Sequence, residues 1–210
     1  AEHSTQPAQA GLCKNRHSAS GRTDPTHTQR CSLDRRELIV QPKPTPAARA
    51  LQLTEVIYTA AVTPPLWTRF LDSLADDLGG AAIAMSLQLP GTMAPPEYYR
   101  TRLSVAYVPA FERHFRLGLP WPMTSSLFRE GFRRGNELFP DERVRETDYY
   151  RDYMQPQNMA PEAPVAHVIV SESGQPISAI GIHRLEGHRP FNDDDLVMCN
   201  LIAPHLARAH

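Results

Sequence analysis

The sequence has no run of about eighteen or more apolar residues, and its first residues lack the basic flank and apolar stretch of a secretory signal. A membrane-crossing helix and export are therefore not expected, and the chain reads as cytoplasmic. Cysteine is scarce: Cys13, Cys31 and Cys199 are an odd set with two members near the N-terminus, which is not a disulfide framework. Lysine is rarer, with Lys14 and Lys43 against twenty arginines, a bias that carries no mechanism. Also missing are a Gly-rich phosphate loop, a GxSxG elbow, HExxH and CxxC. No enzyme class finds its signature, and the expectation is a protein that does not catalyse.

The charge of −1 on 210 residues hides an asymmetry. Residues 1–50 hold 8 Lys+Arg against 4 Asp+Glu, and the remainder 14 against 19. Phosphate backbones are held mainly by cations that release counterions, so an acidic body is a poor DNA-binding surface by itself. Direct nucleic-acid binding by this chain is not expected.

Residues 1–46 are rich in Ser, Thr, Gln, His and Pro, with Leu38-Ile39-Val40 as their one apolar cluster, too little to offset the entropy of ordering. They are expected to form a disordered tail, with the folded domain spanning 47–210. Apolar spacing predicts a helix over 48–62, then a second one capped by Thr63 and opened by Pro64-Pro65, with Trp67, Phe70, Leu71, Leu74 and Leu78 on one stripe. Strands are expected over 81–89, 98–106 and near 137–139, and a short helix over 109–117 carries Phe111 and Phe115. Thr147 is placed to cap a helix ended by Pro156. Runs 165–170 and 177–183 form a hairpin over Glu172–Gln175, and Asn192 followed by three aspartates opens a last helix. Strands bounded by helices at both ends, without βαβ repeats, give an α+β fold with an antiparallel sheet.

Four segments carry a family resemblance. They are Pro65-Leu66-Trp67-Thr68-Arg69-Phe70-Leu71; Phe111-Glu112-Arg113-His114-Phe115 with Trp121 beyond; Tyr150-Arg151-Asp152-Tyr153-Met154-Gln155-Pro156-Gln157; and Asn200-Leu201-Ile202-Ala203-Pro204-His205-Leu206-Ala207-Arg208-Ala209. Together they resemble the N-terminal sensory region of LuxR-type helix-turn-helix transcription regulators, of the group with a GAF- or PAS-like fold. The resemblance implies a cytoplasmic sensor domain of a transcription regulator that binds a small molecule, forms a homodimer and passes its state through the last helix to a DNA-binding domain. That domain is expected outside this chain, which stops at His210. Where relatives often carry an aspartate before Pro-Trp, this chain has Leu119-Pro120-Trp121, so any ligand contact made by that aspartate is lost.

Phe111, Phe115, Trp121, Tyr150 and Tyr153 are the candidate pocket wall, since aromatic rings offer apolar area with a polar rim; the alternative is plain core packing. His167, among Val and Ala in a strand, is the candidate polar contact to ligand, against the reading of a satisfied core histidine. His183-Arg184 is expected at the surface. Val197 and Leu201 form a second apolar stripe on the last helix, which Pro204 should bend, and a twofold partner is the expected cover; scattered exposure is the alternative. Cys13, His17, His27 and Cys31, spaced C-x3-H-x9-H-x3-C, could circle zinc but read better as part of the tail, so neither a metal nor a cofactor is expected. The leading expectation is a ligand-sensing module for a small apolar or aromatic molecule. Its rival is a ligand-free interaction or dimerisation module with a filled core, and an enzyme of unrecognised type comes third.

Overall fold

The computed structural model describes residues 44–87, 96–117, 120–121, 130–137, 139–162, 164–170 and 176–209, without the side chains of 115–117, 170 and 176–177. The tail with its Cys/His quartet, the 172–175 turn and the Phe115 ring lie outside that set.

Helix α1 spans Pro46–Val62, two residues earlier than the apolar spacing suggests, because Thr45 accepts the Ala48 N–H (3.2 Å) and Pro46 occupies a first-turn position where it needs no N–H partner. Thr63 does not cap the next helix with its side chain. Two prolines lack N–H groups, so the first donor is Leu66, which reaches the Thr63 carbonyl (2.9 Å) and closes a single 3-10 turn before helix α2, Trp67–Asp77. Gly79 and Gly80 end it at φ +73° and +96°, with the Gly80 N–H on the Ala75 carbonyl (2.8 Å).

Strands β1 (Ala82–Leu87), β2 (Glu97–Thr101), β3 (Arg133–Arg134), β4 (Val165–Val170) and β5 (Pro176–His183) form one antiparallel sheet in the order β2-β1-β5-β4-β3. Helices α3 (Val108–Leu117), α4 (Asp141–Val144) and α5 (Asp193–Arg208) complete the set. The α+β class with an antiparallel sheet and helices at both chain ends is thus observed. Two strand expectations need correction. The second strand stops at Thr101 rather than 106, because Arg102 turns into the left-handed region (φ +58°) and Val105–Tyr107 coils into a 3-10 turn. The third lies at 133–134 rather than 137–139, since Gly135 gives its N–H to Pro164 (2.7 Å) and Gly135–Glu137 is already helical.

Register sorts the sheet into two faces. One carries Ile83, Met85 and Leu87 of β1, Ile180 and Ile182 of β5, and Val165, His167 and Ile169 of β4. It is covered by α1, α2 and α5 through Leu53, Ile57, Phe70, Leu74, Met198, Ile202 and Leu206. The opposite face carries Ala84, Ser86, Ala179, Gly181, His183, Ala166 and Val168, and meets a separate aromatic cluster.

One carboxylate ties the helix face together. Asn192 accepts the Asp195 N–H (2.9 Å), and Asp195 accepts the Asn192 N–H (3.2 Å), which completes a capping box. Asp195 is 1% exposed and also takes both arms of Arg189 (2.7 and 2.9 Å), with Arg184 at 3.5 Å and Arg49 at 3.9 Å. Arg49 donates onward to the Asp77 carbonyl (3.0 Å) and Arg184 to that of Leu78, so both arginines cap the C-terminal end of α2. Arg184 also lies 3.8 Å from the Phe191 ring centroid. The expected surface position of His183-Arg184 is therefore corrected: both are buried, at 7% and 1% exposure.

Burial alone would push the Asp195 carboxyl up, but hydrogen bonds from Arg189 and Asn192 and the charges of Arg189 and Arg184 hold it below its ordinary value. A depressed carboxyl contributes stability above its unfolded pKa of about 4 and loses it as pH falls through the folded value. Replacing Asp195→Asn should cost about 3 kcal/mol or more at pH 7, because buried guanidinium charge is left uncompensated. Urea unfolding at pH 7 and pH 3 measures this: the difference between wild type and variant should shrink at the lower pH.

Candidate functional site

The second face of the sheet holds the site. Its floor, on the two strands β1 and β5, is built from small residues, and Ala84, Ser86, Ala179 and Gly181 all remain partly accessible. Among the described residues nothing lies within 4 Å of where a Cβ on Gly181 would stand. Strand interiors that carry glycine without a bulge often mark the close approach of another group.

The opposing wall is aromatic. Phe111 and Tyr153 meet at 5.3 Å between ring centroids, Tyr153 stacks on Tyr149 at 5.1 Å, Tyr149 meets Trp121 edge-on at 5.7 Å, and Trp121 reaches His183 at 6.2 Å. The segment Tyr150–Met154 is a π-helical turn, not the α-helix expected there. Thr147 starts it by accepting the Tyr150 N–H (3.1 Å), and Asn158 ends it in the left-handed region (φ +57°), two residues beyond Pro156. The wider turn buries Tyr149, Tyr150, Tyr153 and Met154 together. Asp152, exposed on its outer side, accepts from Arg113 (2.6 Å) and pairs with His114 (3.2 Å), which clasps α3 to the turn.

At the β1–β2 end of this face lies a cavity of about 210 Å³, bounded by Ala84, Tyr98, Arg100, Leu103, Val108, Phe111 and Tyr153 among others. Burial raises the phenol of Tyr149 well above its usual range and that of Tyr153 to about 12, so both stay protonated, and Tyr153, which lines the cavity, keeps a hydroxyl hydrogen to donate.

Of the residues expected in a pocket, Phe111 and Tyr153 line the cavity, while Trp121 and Tyr150 sit in the same aromatic layer beside it. Phe115 belongs to α3 by its backbone only. His167 is not brought to them. Register puts it on the helix face beside Val165 and Ile169, where its ring lies 5.1 Å from that of Phe132. Strand parity decides this: one step along β4 separates His167 from Ala166 and Val168, which do face the aromatic layer. Val197 and Leu201 are exposed, at 51% and 43%, on the outer side of α5, and Pro204 is exposed within the continuous helix.

The sequence reading missed Arg100 and, by placing it at the surface, His183. For His183 the usable signal was the alternation Ala179-Gly181-His183 against Ile180-Ile182 in β5, which puts the imidazole on the face opposite the isoleucines. Among the described residues neither His183 Nδ1 nor Trp121 Nε1 has a hydrogen-bond partner, although both are buried. Comparison of the chain with models of known protein families and with curated proteins finds no match.

Burial lowers the His183 imidazole to about 4 from 6.5. A histidine held neutral in this way contributes full stability above its unfolded pKa, and that contribution declines as pH falls from about 6.5 toward about 4. At pH 5 the loss should be about 2 kcal/mol, since each pH step of one between those two values is worth about 1.36 kcal/mol. His183→Leu should flatten this part of the profile relative to wild type. Equal slopes between pH 7 and pH 5 in urea unfolding of the two proteins would contradict it.

Proposed function

We propose that residues 47–210 are the ligand-sensing and dimerising regulatory domain of a bacterial transcription regulator, GAF/PAS-like in fold and of the LuxR type. The domain binds a small apolar or aromatic molecule. DNA contact belongs to a helix-turn-helix domain outside this sequence, and the setting is the cytoplasm. Two further observations agree with the reading: an antiparallel sheet flanked by an N-terminal and a C-terminal helix is what the family resemblance implies, and no helix among the described residues is long and apolar enough to cross a membrane.

The observation that carries the proposal is the open volume over β1 and the edge strand β2, bounded by Phe111 and Tyr153. A module that only holds a partner has no reason to leave the space between Ala84, Arg100, Phe111 and Tyr153 unfilled, because interiors are otherwise filled to crystal-like density. Binding is the chemistry offered by apolar rings, neutral phenols and small floor residues, and a void of this kind favours a guest over a filled core.

A guest acts only through different affinity for two conformations. The outlet we assign is α5. The chain that contributes Trp121 to the aromatic layer returns at residue 130, where the Asn200 side chain of α5 accepts the Phe132 N–H (2.8 Å) and donates to the Phe132 carbonyl (3.1 Å). Gly131, at φ +144°, lies so close to Asn200 that a Cβ there would stand 2.4 Å from the Asn200 Oδ1. This pair of hydrogen bonds ties the segment at Phe132 to the residue directly before Leu201 on α5.

For the dimer we assign the exposed apolar side chains of the two packed terminal helices, Leu51 and Val62 on α1 with Val197 and Leu201 on α5. Leu201→Glu should shift sedimentation from dimer to monomer without loss of helical content; an unchanged sedimentation coefficient would remove this face from the interface.

Filling the floor tests the sensor itself. Gly181→Ala should raise stability by about 0.5–1 kcal/mol, as expected for a strand glycine with nothing among the described residues within 4 Å of its Cβ position. Ala84→Val, at a position that lines the cavity, should keep the fold and abolish thermal stabilisation by single-ring aromatic compounds. A bound compound at a hundred times its dissociation constant should add about 2.7 kcal/mol to wild type. No stabilisation by any compound of the series would favour the ligand-free interaction module instead.

A further inference from the structure

Resting on the reading of this cavity as a ligand site, we propose that its occupant is a small aromatic carboxylate, with the ring against the wall that Phe111 and Tyr153 share and the carboxylate on Arg100.

Size comes first. The cavity of about 210 Å³ is larger than the ~150 Å³ that accepts benzene and smaller than drug-sized pockets, so it suits one ring with a short substituent. The walls offered by Ala84, Leu103, Val108, Phe111 and Tyr153 are apolar except at phenol tips, which fits a flat ring.

Charge comes second. Arg100 projects from β2 on the same face as its register partner Ala84, and both line the cavity. The arginines around it are occupied: Arg102 pairs with Asp76 at 2.5 Å and Arg113 with Asp152 at 2.6 Å. Among the described residues no carboxylate stands within ion-pair distance of Arg100, and no aromatic ring lies under its guanidinium. Its charge reaches inward to the Tyr153 phenol. A planar guanidinium fits a carboxylate with two parallel hydrogen bonds, and the interaction gains strength at the edge of an apolar cavity. A single positive charge matches a monoanion. The dianionic phosphate monoester would face the exposed Glu112 carboxylate, which also borders the cavity, with too little positive charge to offset it.

Calorimetric titration of the full chain with benzoate and phenylacetate, each beside its neutral amide, tests this on wild type, Arg100→Gln and Arg100→Lys. The acids should bind wild type about 10- to 100-fold more tightly than the amides, the range expected for a charge-assisted pair. Arg100→Gln should erase that discrimination with the circular-dichroism spectrum unchanged, and Arg100→Lys should restore part of it. Amides that bind as tightly as acids, or an Arg100→Gln protein that keeps wild-type affinity for the acids, would overturn the carboxylate anchor and leave the sensing cavity standing. Failure of both acids and amides to bind wild type would overturn the anchor and the sensing reading together.

Discussion

The fold depends on a buried carboxylate shared by three arginines. Asp195 sits at the third position of α5, where the helix dipole and the capping box already favour a negative charge. Around it converge Arg49 from α1, Arg184 from the end of β5 and Arg189 from the segment that leads into α5. Two of these arginines also donate to the free carbonyls at the end of α2. One acidic residue therefore fixes four elements at a single corner. The arrangement is specific because the guanidinium charges would be costly to bury without it.

Rigidity at that corner explains how the other face can be loosely filled. The helix face buries large aliphatic side chains from three helices against β1, β4 and β5, and it holds the larger of the two buried clusters. The opposite face is relieved of that role. Small residues on the floor and aromatic rings on the wall leave a space that a sheet held by both faces would have lost to packing. The neutral His183 and the indole of Trp121 lie at one end of the layer and Arg100 at the other, so the polar groups bracket an apolar middle.

Much of this was legible in the amino-acid order. Periods of 3.6 and 2 located α1, α2, β1, β4, β5 and α5, and Asn192 with three following aspartates marked the start of α5. Errors arose where local pattern is silent about tertiary partners. Asp195 reads as a dipole-compensating residue, and nothing near it in sequence announces Arg49. Arg102 carries no sign that it adopts a left-handed conformation, so β2 looks longer than it is. His167 and His183 were misplaced for a related reason. Each is a polar residue in an apolar strand, and only the pairing register says which face it takes.

That register also constrains how a guest can act. His183 and Gly181 alternate with Ile182 and Ile180, so the same strand presents the face toward the aromatic layer on one side and the core beneath α1 and α5 on the other. A close-packed strand cannot move one face alone. Any expansion of the aromatic layer that displaces β5 would press on the side chains holding α5. That route ends on the helix that carries Val197 and Leu201. Asp195 clamps the first turn of that helix, so what remains free to respond is the part beyond it, where Pro204 removes one backbone hydrogen bond and lowers resistance to bending.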